Sequence, residues 1–256
     1  MSKYYTKPFN PLDWPAGPHD NTGDNQLGFS TSDTVQRYVC GTRAISWNGD
    51  VFKYGKAGIL LVSYQMGAWS HGTGAAVGYE VLGAGSPIGS KKITLTQGSI
   101  TEDEYAGGYM ILFHATGGKA HLIRGNDATT GTTTNFYLER PLPVAVTTSI
   151  PMELYVNPWS DIRQGSMAGN MGVVGPPMAI IAAGSYGWFQ TRGVAFIAGT
   201  SGTGDQYKTS CYWRHDGSID DLDSIGADPK TDQYAGYRIV GSSDGDGPLI
   251  MLQGSY

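Results

Sequence analysis

Residues 186–193 read Tyr-Gly-Trp-Phe-Gln-Thr-Arg-Gly and lie between two apolar runs, Met-Ala-Ile-Ile-Ala-Ala-Gly at 178–184 and Val-Ala-Phe-Ile-Ala at 194–198. In an extended chain successive side chains point to opposite faces. Tyr186, Trp188 and Gln190 therefore share one face, and Gly187, Phe189 and Thr191 share the other. Both faces carry an aromatic residue. A strand that is apolar on both sides must be covered on both sides, which places it inside a sandwich, a barrel or a subunit interface and not on a one-sided surface sheet. The glycines in the segment predict two strands joined at a tight bend.

The rest of the chain agrees with a strand-based fold. It has 38 Gly and 13 Pro among 256 residues, about one helix breaker in five against a usual roughly 12%. Long helices are not expected. Residues 36–45 and 51–54 form a predicted hairpin, with Asn48-Gly49 as its two-residue turn. The run 59–64 has the length of a buried strand. Further strands are predicted at 91–96, 109–114, 121–124, 133–138, 144–146, 152–156, 178–181, 188–191, 194–197, 211–214, 237–240 and 249–252. Many short strands with Gly-rich punctuation make an all-β sandwich or barrel of antiparallel strands with long Gly-rich loops. Thr101-Glu-Asp-Glu104 has a capping-box pattern, but Gly107-Gly108 follows, so at most one turn is expected there.

Residues 1–31 are different in kind. Pro8, Pro11, Pro15 and Pro18 interrupt them, neither strand nor helix period survives, and the large apolar groups are Tyr4, Tyr5, Phe9 and Trp14. We expect an extended N-terminal arm that lies across its own domain or a neighbouring subunit. The β-rich body spans 32–256, with a weak subdivision expected near 165–177.

Charged residues make up only 15% of the chain, below the roughly 25% of typical soluble domains. Such a low-charge surface suits a protein packed against neighbours. With a net charge of -5 and no Lys/Arg run, a basic surface for nucleic acid is not expected. Neither is a membrane span, because no stretch approaches about 18 continuous apolar residues. The N-terminus lacks the apolar core of a secretory signal, so the chain is expected in the cytosol of its cell until lysis. Cys40 and Cys211 are expected as buried, reduced thiols.

Chemistry-bearing patterns are sparse. Asp216, Asp220, Asp221 and Asp223, followed by Asp228 and Asp232, are dense in oxygen ligands but lack the order of a calcium loop, and read as a solvated acidic loop. The histidines 19, 71, 114, 121 and 215 have no metal-ligand spacing. Neither Gly165-Ser166-Met167 nor Gly184-Ser185-Tyr186 continues into a nucleophile elbow. Gly199-Thr-Ser-Gly-Thr-Gly204 lacks the Lys of a phosphate loop. No catalytic residue, metal site or cofactor is assigned. Tryptophans 14, 47, 69, 159, 188 and 213 and the glutamates 80, 102, 104, 139 and 153 leave open a carbohydrate-binding module or a glycosidase, which would need a groove and paired carboxylates.

Several passages together resemble virion structural proteins of tailed bacteriophages, most closely capsid decoration or cement proteins. They are Val39-Cys-Gly-Thr-Arg43 with 48–58 (Asn-Gly-Asp-Val-Phe-Lys-Tyr-Gly-Lys-Ala-Gly), Leu138-Glu-Arg-Pro-Leu142 with Val156-Asn-Pro-Trp159, the 186–193 segment, Gly236-Tyr-Arg-Ile-Val-Gly241, and 249–252. The resemblance covers 35–60 and 137–252 in pieces and does not extend to the arm or to the insertion at 67–89. It implies a non-enzymatic protein on the capsid surface of the virion, made in the host cytoplasm. Its partners would be the major capsid protein and further copies of itself, with a trimer among the options. A tail or baseplate component is the alternative within the same class. The interface residues expected on this reading are Tyr4, Tyr5, Phe9 and Trp14 on the arm, with Tyr186, Trp188, Gln190 and Arg192 as either core or inter-subunit anchors.

Overall fold

A computed structural model describes residues 29–46, 48–62, 65–70, 77–80, 83–96, 98–114, 117–165, 172–199, 209–221, 230–240 and 247–254. The protein is all-β, and no helix occurs among the described residues. Tyr4, Tyr5, Phe9 and Trp14, and with them nearly all of the expected arm, lie outside the described residues.

The described residues divide into two compact units, one within Gly72–Pro158 and the other within the flanking segments Lys7–His71 and Trp159–Tyr256. The division thus runs through 71/72 and 158/159, and residues 165–177, where a weak boundary is expected from composition, fall inside the flanking unit. The flanking unit begins with β1 (Arg43–Ile45), β2 (Val51–Lys56) and β3 (Ala68–Ser70). The inserted unit then contributes β4 (Val77–Glu80), β5 (Lys92–Leu95), β6 (Tyr109–His114), β7 (Gly117–Asn126), β8 (Thr134–Leu138) and β9 (Met152–Tyr155). The flanking unit resumes with β10 (Ile162–Arg163), β11 (Val173–Gly175), β12 (Tyr186–Phe196), β13 (Ser210–Arg214), β14 (Ile219–Asp220), β15 (Lys230–Val240) and β16 (Leu249–Gln253). Strands β3 and β10 pair, with Ser70 opposite Ile162 and Trp69 opposite Arg163. The points where the chain leaves and rejoins the flanking unit are therefore neighbours on one antiparallel pair. Close ends of this kind are what an inserted domain needs.

The inserted unit is a six-stranded sheet in the order β4-β9-β6-β7-β8-β5, and every described ladder in it is antiparallel. Its strands alternate as a half-buried sheet should: Met110 and Leu112 on β6, Phe136 and Leu138 on β8, and Met152 and Leu154 on β9 all turn to one face. Ile93 and Leu95 of β5 and Ile123 of β7 join them, and Ile100, Tyr105, Leu142 and Val146 from the connections close that core. Asn126 ties the connections down. Its amide donates to the carbonyls of Thr101 (2.7 Å) and Asp127 (2.9 Å), and its oxygen accepts the Tyr105 amide at 2.9 Å. The expected single turn at 101–104 is present, with the Thr101 amide donating to Glu104 Oε2 at 2.9 Å.

The flanking unit holds a seven-stranded sheet, β1-β2-β12-β16-β15-β13-β14, and a three-stranded sheet, β10-β3-β11. The expected pair of strands at 188–191 and 194–197 is corrected: β12 is one continuous strand of 11 residues. A register irregularity between Gln190 and Arg192 against Val51 absorbs the bend, as a bulge does by adding one residue on one strand only. Gly193 follows it with φ 109°. The Asp50 carboxylate occupies the space a Cβ would take there and accepts the Val194 amide at 3.2 Å, so a side chain at 193 is excluded by both torsion and contact.

Other expectations are corrected in detail. The hairpin forms, but β1 is short and the connection is the longer loop 46–50, closed by the Ser46 amide on the Asp50 carbonyl at 2.8 Å. The polar side chains of that loop hold one another, with Asn48 Nδ2 donating to Asp50 Oδ2 at 2.8 Å. Runs 59–64 and 178–181 are not strands in their described parts, and meet only through a single bridge between Leu61 and Ile181. Both of those residues enter the core around Phe189, while Leu60, Val62 and Ile180 face outward. Residues 144–146 likewise contribute one bridge, Val146 to Ser86.

Candidate interaction surface

Of the residues expected at an interface, Trp188 is 0% exposed and Gln190 5%. The core alternative describes them. Trp188 sits among Phe29 (5.6 Å between ring centroids), Tyr38 (5.4 Å) and Tyr54 (5.3 Å). Tyr186 is half-buried and stacks on Tyr54 at 5.9 Å, and Phe29 stacks on Phe52 at 3.9 Å. The Arg37 amide donates to the Tyr54 hydroxyl at 3.0 Å, and Asp33 bridges to Tyr186. Residues 29–38 thus lie over the flanking unit's own sheet, which is where the described end of the expected arm goes. On the other side of the strand Phe189 packs with Ala57, Leu61, Ile162 and Ile181. Gln190 Nε2 donates to the Val194 carbonyl at 3.0 Å across the bulge. Arg192 is exposed at the point where β12 leaves this double cover.

Beyond the bulge the same strand changes character. Ala195 and Ile197 are buried with Cys211, Trp213, Ile219, Ile250 and Leu252, whereas Val194 and Phe196 face solvent. The ladder carries these outward positions across three strands. Val194 is opposite Met251, which is opposite Tyr237; Phe196 is opposite Leu249, which is opposite Val240. Met251 and Leu249 are half-exposed. Beside these two rows Tyr234 and Ile239 are also exposed, and the six fully exposed members keep between 37% and 59% of their surface in water. Neither row contains a charged residue. Sequence reasoning named 194–197, 237–240 and 249–252 as strands but missed this face; the signal was the run of outward positions 194, 196, 237, 240, 249 and 251, which only strand pairing places side by side.

The inserted unit has a smaller counterpart on the face away from its core. Leu122, Tyr109 and Tyr155 are register partners across β7, β6 and β9 and are all exposed. The next row, Ala120, Ile111 and Glu153, brings in a charge. The Tyr155 hydroxyl donates to Glu153 Oε2 at 2.6 Å.

The acidic segment is corrected as well. Asp220 and Asp221 are buried, not solvated. Asp216 organises the turn before them, accepting the Ser218 amide at 2.9 Å and hydroxyl at 2.6 Å, and the Asp221 amide donates to Asp220 Oδ1 at 2.8 Å. Burial pushes the Asp216 carboxyl up, but the two Ser218 donors, with Arg214 and His215 nearby, outweigh it and hold the group below its ordinary value. Asp223, Asp228 and the side chain of Asp232 lie outside the described residues. Among the described residues no three His, Cys, Asp or Glu side chains gather as a metal site. The described tryptophans pack: Trp69, Trp188 and Trp213 are buried, and Trp159 is half-buried beside Phe189. Both cysteines are free thiols, Cys211 buried and Cys40 half-buried. Burial pushes Cys40 up to about 12 and Cys211 up to about 11, which makes both poor nucleophiles at neutral pH. Compared with protein-family models, curated proteins and solved structures, the chain matches none.

Proposed function

We propose that this chain is a non-enzymatic structural protein that acts by covering apolar sheet surface against other subunits, and that its assembly is the virion of a tailed bacteriophage. The observation that carries the structural reading is that each unit leaves an apolar sheet face in water, the larger one free of charge in its two central rows. A subunit set in a heterologous ring or a larger lattice presents more than one such face, whereas a two-fold pair needs only one. The phage setting rests on the sequence resemblance, and within it the chain is read as a decoration protein that binds the major capsid protein of an assembled head. A protein of that kind stabilises the shell because it binds the lattice and not the free subunit, so its binding free energy adds to the assembled state. Many copies turn modest contacts into firm attachment.

Binding of the purified protein to empty expanded heads and to unassembled capsid protein, at two salt concentrations, tests this. Saturable binding to heads alone is the expected outcome. Binding to neither overturns the decoration reading; capture on tail complexes would instead assign the chain to the tail or baseplate. A glycan screen addresses the carbohydrate-binding alternative, for which the adjacent exposed tyrosines 109 and 155 are the specific observation.

A further inference from the structure

The face formed by β12, β16 and β15 is broad, continuous and uncharged at its centre. On the scale of roughly 150–250 Å² for a whole aromatic side chain, its exposures leave on the order of 500 Å² of apolar surface open. That is in the upper part of the roughly 300–600 Å² found for the largest patch on a monomer. It is also more than half of the roughly 800 Å² per partner that a stable pair of subunits buries. The half-exposed Met251 and Leu249 lie inside the same two rows, so a partner seated here desolvates them with the rest.

We infer that a second copy of this chain covers this face, sheet against sheet, about a two-fold axis; the inference rests on reading the chain as an assembly protein. Three observations favour a second copy. First, a two-fold interface places a patch against itself, so each patch must be self-complementary. The rows Val194, Met251, Tyr237 and Phe196, Leu249, Val240 meet this condition, because opposing them to themselves buries no charge. Second, three adjacent antiparallel strands with side chains of moderate size present the kind of surface that packs on another sheet at about 10 Å, with strands within about 30° of alignment. Third, the corresponding face of the inserted unit fails the same condition, since self-pairing there would bring Glu153 toward a second Glu153. Arg192, the charged residue on β12 nearest the patch, pairs with Gln253 at its corner, where it stays at the rim.

The test is the mass of the full-length protein by sedimentation equilibrium from low to high micromolar concentration, for the wild type and for Phe196→Glu, Tyr237→Ser and the control Ile88→Glu on the inserted unit. The wild type is expected at twice 27.3 kDa. Phe196→Glu places a charge in the buried centre and is expected to weaken association by about 30-fold or more, the scale of a hot-spot residue. Ile88→Glu should leave the mass unchanged. Tyr237→Ser, a milder change, reads the same face if Phe196→Glu fails to fold. A monomeric wild type, a trimer mass, or a dimer indifferent to the folded face variants overturns the inference. Head binding by the same samples separates the two claims: a monomer that still saturates heads removes the dimer alone, and a dimer that binds no heads removes the decoration reading alone.

Discussion

The inserted and flanking units build their cores by opposite routes. In the inserted unit strands β5 to β9 each commit one face to the interior, and the buried set is mostly aliphatic, with Tyr105 and Phe136 as the aromatic members. Among its buried polar groups, Asn126 is satisfied by three backbone partners. In the flanking unit β12 commits both faces over its first half, with Trp188 under an aromatic cover contributed partly by residues 29–38 and Phe189 in an aliphatic layer of Leu61, Ile162 and Ile181 with Ala57, Ala68 and Ala179. Burial on two sides forces the cover to come from distant parts of the chain. The first core can therefore form from one contiguous stretch, whereas the second needs segments more than 100 residues apart, from Phe29 to Trp188.

That contrast can be broken most forcefully at Trp188. Truncation by Trp188→Ala should cost about 3–5 kcal/mol, and hydrogen exchange should show the loss in β2 and β12 while β6 to β8 keep their protection. Equal loss in both units would show that they unfold as one and remove the distinction. A complementary change at Asn126 sharpens it from the other side. Asn126→Leu leaves the Tyr105 amide and the Thr101 and Asp127 carbonyls without their partner and should cost about 2–3 kcal/mol, with exchange rising in the inserted unit and the near-ultraviolet signal of the Trp188 cluster unchanged. The smallest effect is expected at Asp216, in the turn of the flanking unit. Its carboxyl is held below the ordinary 3.8 in the folded chain, so its contribution to stability is complete above that value and is lost as pH falls through the lower folded value. Thermal melts of the wild type and Asp216→Asn should therefore differ at neutral pH and converge below about pH 4; a gap that widens on acidification would reverse the assignment.

Much of this architecture was legible in the residues because strand periodicity is local. Residues 109–114 were delimited as β6 finds them, and β5, β8, β9, β13 and β16 fall within a residue or so of expectation. The misreadings share a cause. Runs 59–64 and 178–181 are apolar enough for strands, yet they bend at 58–59 and at 178–179 before sending Leu61 and Ile181 into one core. The joint in β12 was read as a break because a glycine there is compatible with a turn or a bulge, and only the position of Asp50 decides between them. The acidic segment was read as solvated because carboxylates usually are; the turn that Asp216 organises with Ser218, and the burial of Asp220 and Asp221 that follows it in the chain, are not specified by composition.

By itself the sequence determined an all-β chain with little surface charge and a strand that is apolar on both sides, because these follow from breaker content, charge and a two-residue period. Tertiary structure alone decided that Trp188 and Gln190 belong to the core. It also decided that Gly72–Pro158 forms a unit of its own, and that Val194, Phe196, Tyr237, Val240, Leu249 and Met251 stand together in water. Those outcomes depend on which strands pair and in what register, and register is a property of residues far apart in the chain.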